Sequence, residues 1–233
     1  MEIFEIKIDL KLHRPVRFKE SIEFLSRNVN RIVYHSMLLR LLHENKSFKP
    51  YVIGSLGKSD PDRTYHPNKT YRLTIRSIDD GFVAEFVKAA CMVKDLEFEI
   101  ENVDAKMLFL RPIDKLYTIT PAVLTVTRNR YWTNEDDLML LVNNVKENLL
   151  KKYRYFFKRD IHPPQDFINF YRIENQKAIV FDYKGGKIFA NRFTFGFAPD
   201  PASQKLAKLA YGVGILEKNA LGFGMVVRGK NDR

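Results

Sequence analysis

Histidine is the side chain best suited to moving a proton near neutral pH, and the chain has five: His13, His35, His43, His66 and His162. One segment sets a histidine among other reactive groups. "RIVYHSMLLRLLHENKSFKPYVIGSL" (31–56) holds Tyr34, His43 and Lys49. An imidazole gives or takes a proton, a phenol can do so or hold a hydrogen bond, and an ammonium stabilises negative charge without proton transfer. A free tyrosine titrates near ~10 and a free histidine near ~6.5, so His43 is the better proton carrier at neutral pH. His35, beside Tyr34 and off the apolar stripe, is the reserve candidate. His66 sits in a polar loop, and His13 and His162, close to prolines, read as structural. Each member of the set also has a plainer reading. His43 could stabilise a helix end through its dipole, Tyr34 could be an interface aromatic, and Lys49 an ordinary exposed lysine.

A second cluster is backbone rather than side chain. "GVGILEKNALGFGMVV" (212–227) places Gly212, Gly214, Gly222 and Gly224 around Lys218 and Asn219. A dinucleotide fingerprint needs its glycines between a strand and a helix with an acidic residue about 20 positions on, and a P-loop needs Gly-Lys-Ser/Thr. Neither pattern is met. Two readings remain: a cradle whose free amides and Lys218 hold a phosphate, or a turn with a β-bulge. Arg128, Arg130, Tyr131 and Trp132 combine charge with stacking rings, a composition suited to RNA; the same cluster could instead pack Trp132 into the core. Lys151, Lys152, Arg154, Lys158 and Arg159 end a helix, either complementing its dipole or tracking phosphates.

The charge balance favours the phosphate reading. Among 233 residues, 39 Lys and Arg face 28 Asp and Glu, a net +11 spread along the whole chain. A basic folded surface of this kind attracts nucleic acid, although heat-adapted proteins also accumulate charge. Hydrophobic residues make up 45% and charged residues 29%, an ordinary globular balance. No apolar run approaches the ~18–20 residues of a membrane span, and the N-terminus lacks the order of a signal peptide. Cys91 is the lone cysteine, so neither a disulfide frame nor a thiolate metal cluster is available. A cytoplasmic protein without membrane contact, metal or cofactor is expected.

Periodicity places these groups on elements. Residues 2–12 alternate as a half-buried strand, and 18–42 switch to helical spacing through Phe18, Ile22, Leu25, Val29, Ile32 and Val33. Strands follow at 51–56 and 71–78, a helix at 82–90 and a strand at 96–103. Strand, helix, strand, strand, helix, strand is the ferredoxin-like order. The second half repeats it: a strand at 117–127, a helix at 134–157, strands at 170–183 and 187–197 joined by Lys184-Gly185-Gly186, a helix at 202–211 and a strand at 222–228. The fold expected is α+β, with two tandem ferredoxin-like (RRM-like) βαββαβ units, residues 1–112 and 113–233, packed face to face. In one unbroken helix the nine residues from Tyr34 to His43 turn through about 900°, which puts them on opposite faces. They converge only if the helix breaks between them, around 36–39.

The spacing Gly212-Val-Gly214, Glu217-Lys218-Asn219, Gly222-Phe223-Gly224-Met225-Val226 resembles the C-terminal glycine-rich motif of the CRISPR-associated endoribonucleases that cut repeat RNA into guide RNAs, members of the repeat-associated RNA-binding superfamily. "LLHENKSFKP" (41–50) is similar to that family's histidine-to-lysine segment at His43 and Lys49, with Tyr34 on the preceding helix. The resemblance implies metal-independent cleavage of CRISPR repeat RNA, leaving a 2′,3′-cyclic phosphate. Tyr34 or His43 would be the base and the other the acid, and Lys49 would neutralise the phosphorane. The glycine-rich loop would position RNA, and Arg128 and Arg130 are RNA contacts that their composition, not the resemblance, offers. The implied partner is precursor and mature guide RNA; a CRISPR effector complex and a second copy of the chain are further candidates. A non-catalytic RNA-binding subunit of the same superfamily is the alternative.

Overall fold

The computed structural model describes residues 1–45, 47–128 and 130–229. The first unit runs β1 (Phe4–Leu12), α1 (Ser21–His35), α2 (Met37–Glu44), β2 (Tyr51–Ile53), β3 (Thr70–Ser77), α3 (Asp80–Met92) and β4 (Phe98–Met107). Its antiparallel sheet has the order β2-β3-β1-β4, which is the ferredoxin-like arrangement. The second unit runs β5 (Lys115–Thr118), α4 (Leu138–Phe157), β6 (Ile168–Ile173), β7 (Ile179–Tyr183), β8 (Gly186–Ala190), β9 (Phe193–Phe197), α5 (Pro201–Val213) and β10 (Val226–Val227). The order β6-β9-β5-β10 repeats the first sheet. The architecture is α+β, with two ferredoxin-like units.

Alternation along β1 divides the first sheet into two faces. Ile6, Ile8, Leu10 and Leu12 are buried with Leu25, Val29 and Phe86 from α1 and α3 in one core. Glu5, Lys7 and Asp9 point the other way, opposite Arg76, Thr74 and Arg72 of β3. That second face meets the C-terminal unit. Arg76 is buried, donates to Glu5 Oε2 at 3.0 Å and to the Val226 carbonyl at 2.5 Å, and lies 3.8 Å over the Tyr211 ring. Ile3, from the first unit, belongs to the second unit's core beside Val213 and Leu116.

Local chemistry moves several boundaries. The strand expected over 117–127 stops at Thr118 and resumes at Thr125–Thr127, because Pro121 cannot donate to a ladder. The expected hairpin strands are each broken in two, so that β7 and β8 form their own ribbon. Lys184 (φ 48°) and Gly185 (φ 75°) close it with both central residues left-handed, the turn that matches strand twist. Helix starts follow their caps. Asp79 accepts from the Phe82 amide, Asp137 from Met139, and Asp200 from Ala202 and Ser203 with Pro201 in the first turn.

The helix expected over 18–42 is not continuous. A 3-10 turn covers Phe18–Glu20, α1 ends at His35, and Ser36 is extended (φ −111°, ψ 128°) before α2 begins. The Ser36 hydroxyl donates to Glu85 Oε2 on α3 at 3.0 Å, and its carbonyl accepts the Arg40 amide. Of α2, Leu39 alone is buried. The break is therefore held by a polar tether and by apolar packing of Leu39 and the part-buried Leu42.

Candidate RNA-processing site

The turn at Ser36 re-aims α2 so that Tyr34, at the end of α1, meets His43, in the last turn of α2. Their rings are 5.5 Å apart between centroids in an edge-on arrangement. Tyr34 is 48% exposed, and Arg40, itself ion-paired to Glu44 at 2.8 Å, lies 5.6 Å over its ring. His43 is half-buried, and its Nδ1 is buried without a hydrogen-bond partner among the described residues. Burial and then the neighbouring Lys49 charge hold its imidazole below the usual histidine range, outweighing the pull of Glu44. A neutral imidazole can accept a proton; the buried Nδ1 is closed to a substrate, which leaves Nε2 as the nitrogen for that role.

Lys49 sits where the chain turns from α2 toward β2. Its amine donates to the Leu42 carbonyl at 2.9 Å, to the His43 carbonyl at 2.7 Å, and to the Asn45 carbonyl. It therefore caps the C-terminal end of α2, and burial lowers its pKa. The second unit clamps the same loop. Tyr155 on α4 donates to Ser47 Oγ at 2.6 Å, and Phe48 packs on the Tyr155 and Phe156 rings at 5.7 and 6.5 Å. The phenol, imidazole and ammonium are thus assembled in one place, with Lys158 held 4.5 Å over the Tyr155 ring at the end of α4. Of the other histidines, His35 is exposed beside Tyr34 at the end of α1, His13 and His162 are exposed on other segments, and His66 is paired with Asp62 at 2.9 Å.

The glycine-rich stretch is built differently. Gly212, Gly214, Gly222 and Gly224 are all buried. The amides of Gly214, Gly222 and Gly224 already donate to Ala210, Asn219 and Pro121 carbonyls. Asn219 turns inward and donates to the Ile215 and Phe223 carbonyls at 2.8 and 3.0 Å. A Cβ on Gly214 (φ 79°) would fall 2.6 Å from Asn219 Nδ2, and one on Gly224 (φ 71°) would collide with the Ile215 carbonyl oxygen. These glycines make room for Asn219, and their buried amides are not open to a phosphate. Lys218 is part-exposed, lying 5.7 Å over the Tyr131 ring and 4.0 Å from Glu217 Oε2.

Lys152 holds this loop from beneath. It is 2% exposed and donates to the Gly214 carbonyl at 2.8 Å, the Leu216 carbonyl at 3.1 Å and Asn219 Oδ1 at 2.7 Å. Burial pushes its amine down to about 7. Expected on a basic helix end that complements the dipole or tracks phosphates, Lys152 instead faces the interior. The missed signal is its register: it continues the buried stripe Leu141, Val145, Leu149 at helical spacing. Trp132 is also core, stacked edge-on to Phe193 and donating to the Asp137 carbonyl. Arg128 and Arg130 are exposed, and Arg130 is ion-paired to Asp136 at 2.5 Å.

Between the units, over the helix-free face of the first sheet, runs a cleft of about 1050 Å³. Lys7, Lys58, Arg72, Lys106, Arg192 and Arg228 line it, with Glu5 as its acidic group. Among the described residues no three His, Cys, Asp or Glu side chains are grouped to hold a metal ion, and no helix is long and apolar enough to cross a membrane.

No curated protein sequence matches the chain. Solved structures do match at low identity. One described as "CRISPR associated protein Cas6" is 20% identical with a TM-score of 0.73, covering 98% of this chain and 100% of its own. A structure described as "An RAMP protein binding different RNA substrates" is 18% identical with a TM-score of 0.70, covering 97% and 98%. A third, of a Cas6-related gene from Pyrococcus furiosus, is 18% identical with a TM-score of 0.67, covering 98% of each chain. The family model for the C-terminal part of CRISPR-associated protein Cas6 matches residues 109–227, the half of the molecule that carries the glycine-rich loop. The chain belongs to the Cas6 family of CRISPR-associated proteins.

Proposed function

We propose that this protein is a metal-independent endoribonuclease that cleaves CRISPR repeat RNA in precursor transcripts. The observation that carries the reading is the meeting of Tyr34 and His43, 5.5 Å between ring centroids, beside the Lys49 amine. Transesterification at an RNA phosphate needs a base for the 2′-hydroxyl, an acid for the leaving 5′-oxygen and positive charge on the phosphorane. His43, neutral because it is half-buried beside Lys49, is the proton acceptor. Tyr34, more exposed, donates to the leaving oxygen. Lys49 supplies charge by exchanging a carbonyl for a phosphate oxygen. The attacking 2′-oxygen displaces the 5′-oxygen, and a 2′,3′-cyclic phosphate remains. The basic cleft and Lys218 then track the strand away from the cut.

A second reading rests on Lys49. Its three protons all point at carbonyls of the α2 terminus, an arrangement that also suits a fixed structural cap in a non-catalytic RNA-binding subunit. A repeat RNA carrying a single 2′-deoxy residue before the scissile phosphate separates the two. Under the nuclease reading the wild-type protein binds both RNAs equally and cuts the unmodified one alone. Binding of both with cleavage of neither supports the second reading.

A further inference from the structure

Phe109 is 85% exposed, the most exposed of the large hydrophobic side chains among the described residues. Its position is not that of a loose loop tip. In the segment joining the two sheets, Leu108 and Leu110 on either side of Phe109 pack against the second unit's core, which leaves the intervening ring outward. The segment is pinned at both ends: the Leu108 amide donates to the Ile3 carbonyl at 2.8 Å, and the Ile113 amide to Gln204 Oε1 at 2.7 Å. The ring lines the basic cleft together with Lys58 and Lys106. Among the described residues neither of these two lysines has an ion-pair partner; the cleft's arginine Arg72 is committed to Asp9 at 2.6 Å.

We infer that Phe109 is a base-stacking platform for one unpaired nucleotide of single-stranded RNA, with Lys58 and Lys106 taking the flanking phosphates. The observations favour RNA over a protein partner. An outward aromatic ring that shares a cleft with two cations matches the two contacts that single-stranded RNA offers, a π-face and a phosphate, at each nucleotide. A docking protein would need a wider apolar patch, whereas the apolar wall of this cleft is matched by an equal share of polar surface, and its charged groups are seven Lys and Arg against Glu5. The inference deepens the RNA-processing reading and rests on it for the identity of the strand, but it requires no cleavage.

The test measures equilibrium binding of the full chain to repeat RNA, with an abasic residue moved one position at a time along the unpaired part. Phe109→Ala is expected to weaken binding about tenfold or more, and Phe109→Trp to restore it. At one position the abasic RNA should bind wild type as weakly as Phe109→Ala binds intact RNA, and lose nothing further in that variant. Lys58→Ala should lower the salt dependence of log K by about 0.7. Unchanged RNA affinity in Phe109→Ala, or an abasic penalty identical in both proteins at every position, overturns the inference. So does unchanged affinity with a shift in sedimentation, which would make the ring a protein contact. Base–ring coupling without any cleavage by the wild type would leave this subsite standing while the nuclease reading falls; cleavage without coupling would do the reverse.

Discussion

The two regions singled out by residue type handle their polar groups in opposite ways. Around the glycine-rich loop the interior groups engage one another: Lys152 satisfies Gly214, Leu216 and Asn219, and Asn219 in turn satisfies Ile215 and Phe223. At the Tyr34–His43 junction the closure is incomplete. Among the described residues the His43 Nδ1 has no partner, Tyr34 is half in solvent, and Leu39 is the buried residue of α2. A closed network specifies shape, and an open one keeps capacity for a substrate. Both regions lean on α4, through Lys152 for the loop and through Tyr155 and Phe156 for the segment that carries Lys49.

If that contrast holds, substitutions in the two regions fail in different assays. The largest effect belongs to His43→Ala, expected to slow single-turnover cleavage at saturating protein by about 10²–10⁴-fold while the melting temperature stays close to wild type. Quantifying product by gel at saturating protein and melting by circular dichroism checks both halves.

Lys152→Met should do the opposite. It strands three buried acceptors at a cost on the order of 3 kcal/mol, lowering the melting temperature by about 6–12 °C for a chain of this size. A melting temperature within a degree of wild type would show that the loop does not depend on its buried amine. Gly224→Ala should also lose stability, since its Cβ meets the Ile215 carbonyl in a left-handed backbone.

The smallest effect is on pH. The His43 pKa is depressed in the folded chain by burial and Lys49, so its contribution to stability is present above its unfolded value near ~6.5 and is lost as pH falls through the folded value. Denaturant titrations between pH 7 and 5 should show wild type losing more stability than His43→Gln. For the same reason the acidic limb of kcat/KM should lie below pH 6.5, with His43 active as the neutral base.

Much of the architecture is legible in the sequence because alternation and helical spacing are local signals. The βαββαβ order can be read twice, and so can the condition that the long helix must break for Tyr34 and His43 to meet. The position of the break follows from a tertiary contact, Ser36 with Glu85, 49 residues apart in sequence, which no local pattern encodes. The glycines mark an unusual backbone, yet what occupies the space they leave is decided by Lys152 on another helix. Charge alone reads Lys152 as solvent-facing; its register on the buried stripe of α4 says otherwise. Lys49 is the converse case, a lysine whose spacing places it correctly but whose three carbonyl partners appear only once α2 has its end. Phe109 carries no sequence signal at all, since its exposure is set by the leucines on either side packing into the neighbouring unit.

The most direct test of the central claim is cleavage of repeat RNA in EDTA, with analysis of the new 3′ end. The account predicts cutting by the wild-type protein without divalent metal, a 2′,3′-cyclic phosphate on the upstream product, and loss of both in His43→Ala. Cleavage that requires Mg²⁺, or that leaves a 3′-hydroxyl, would contradict it.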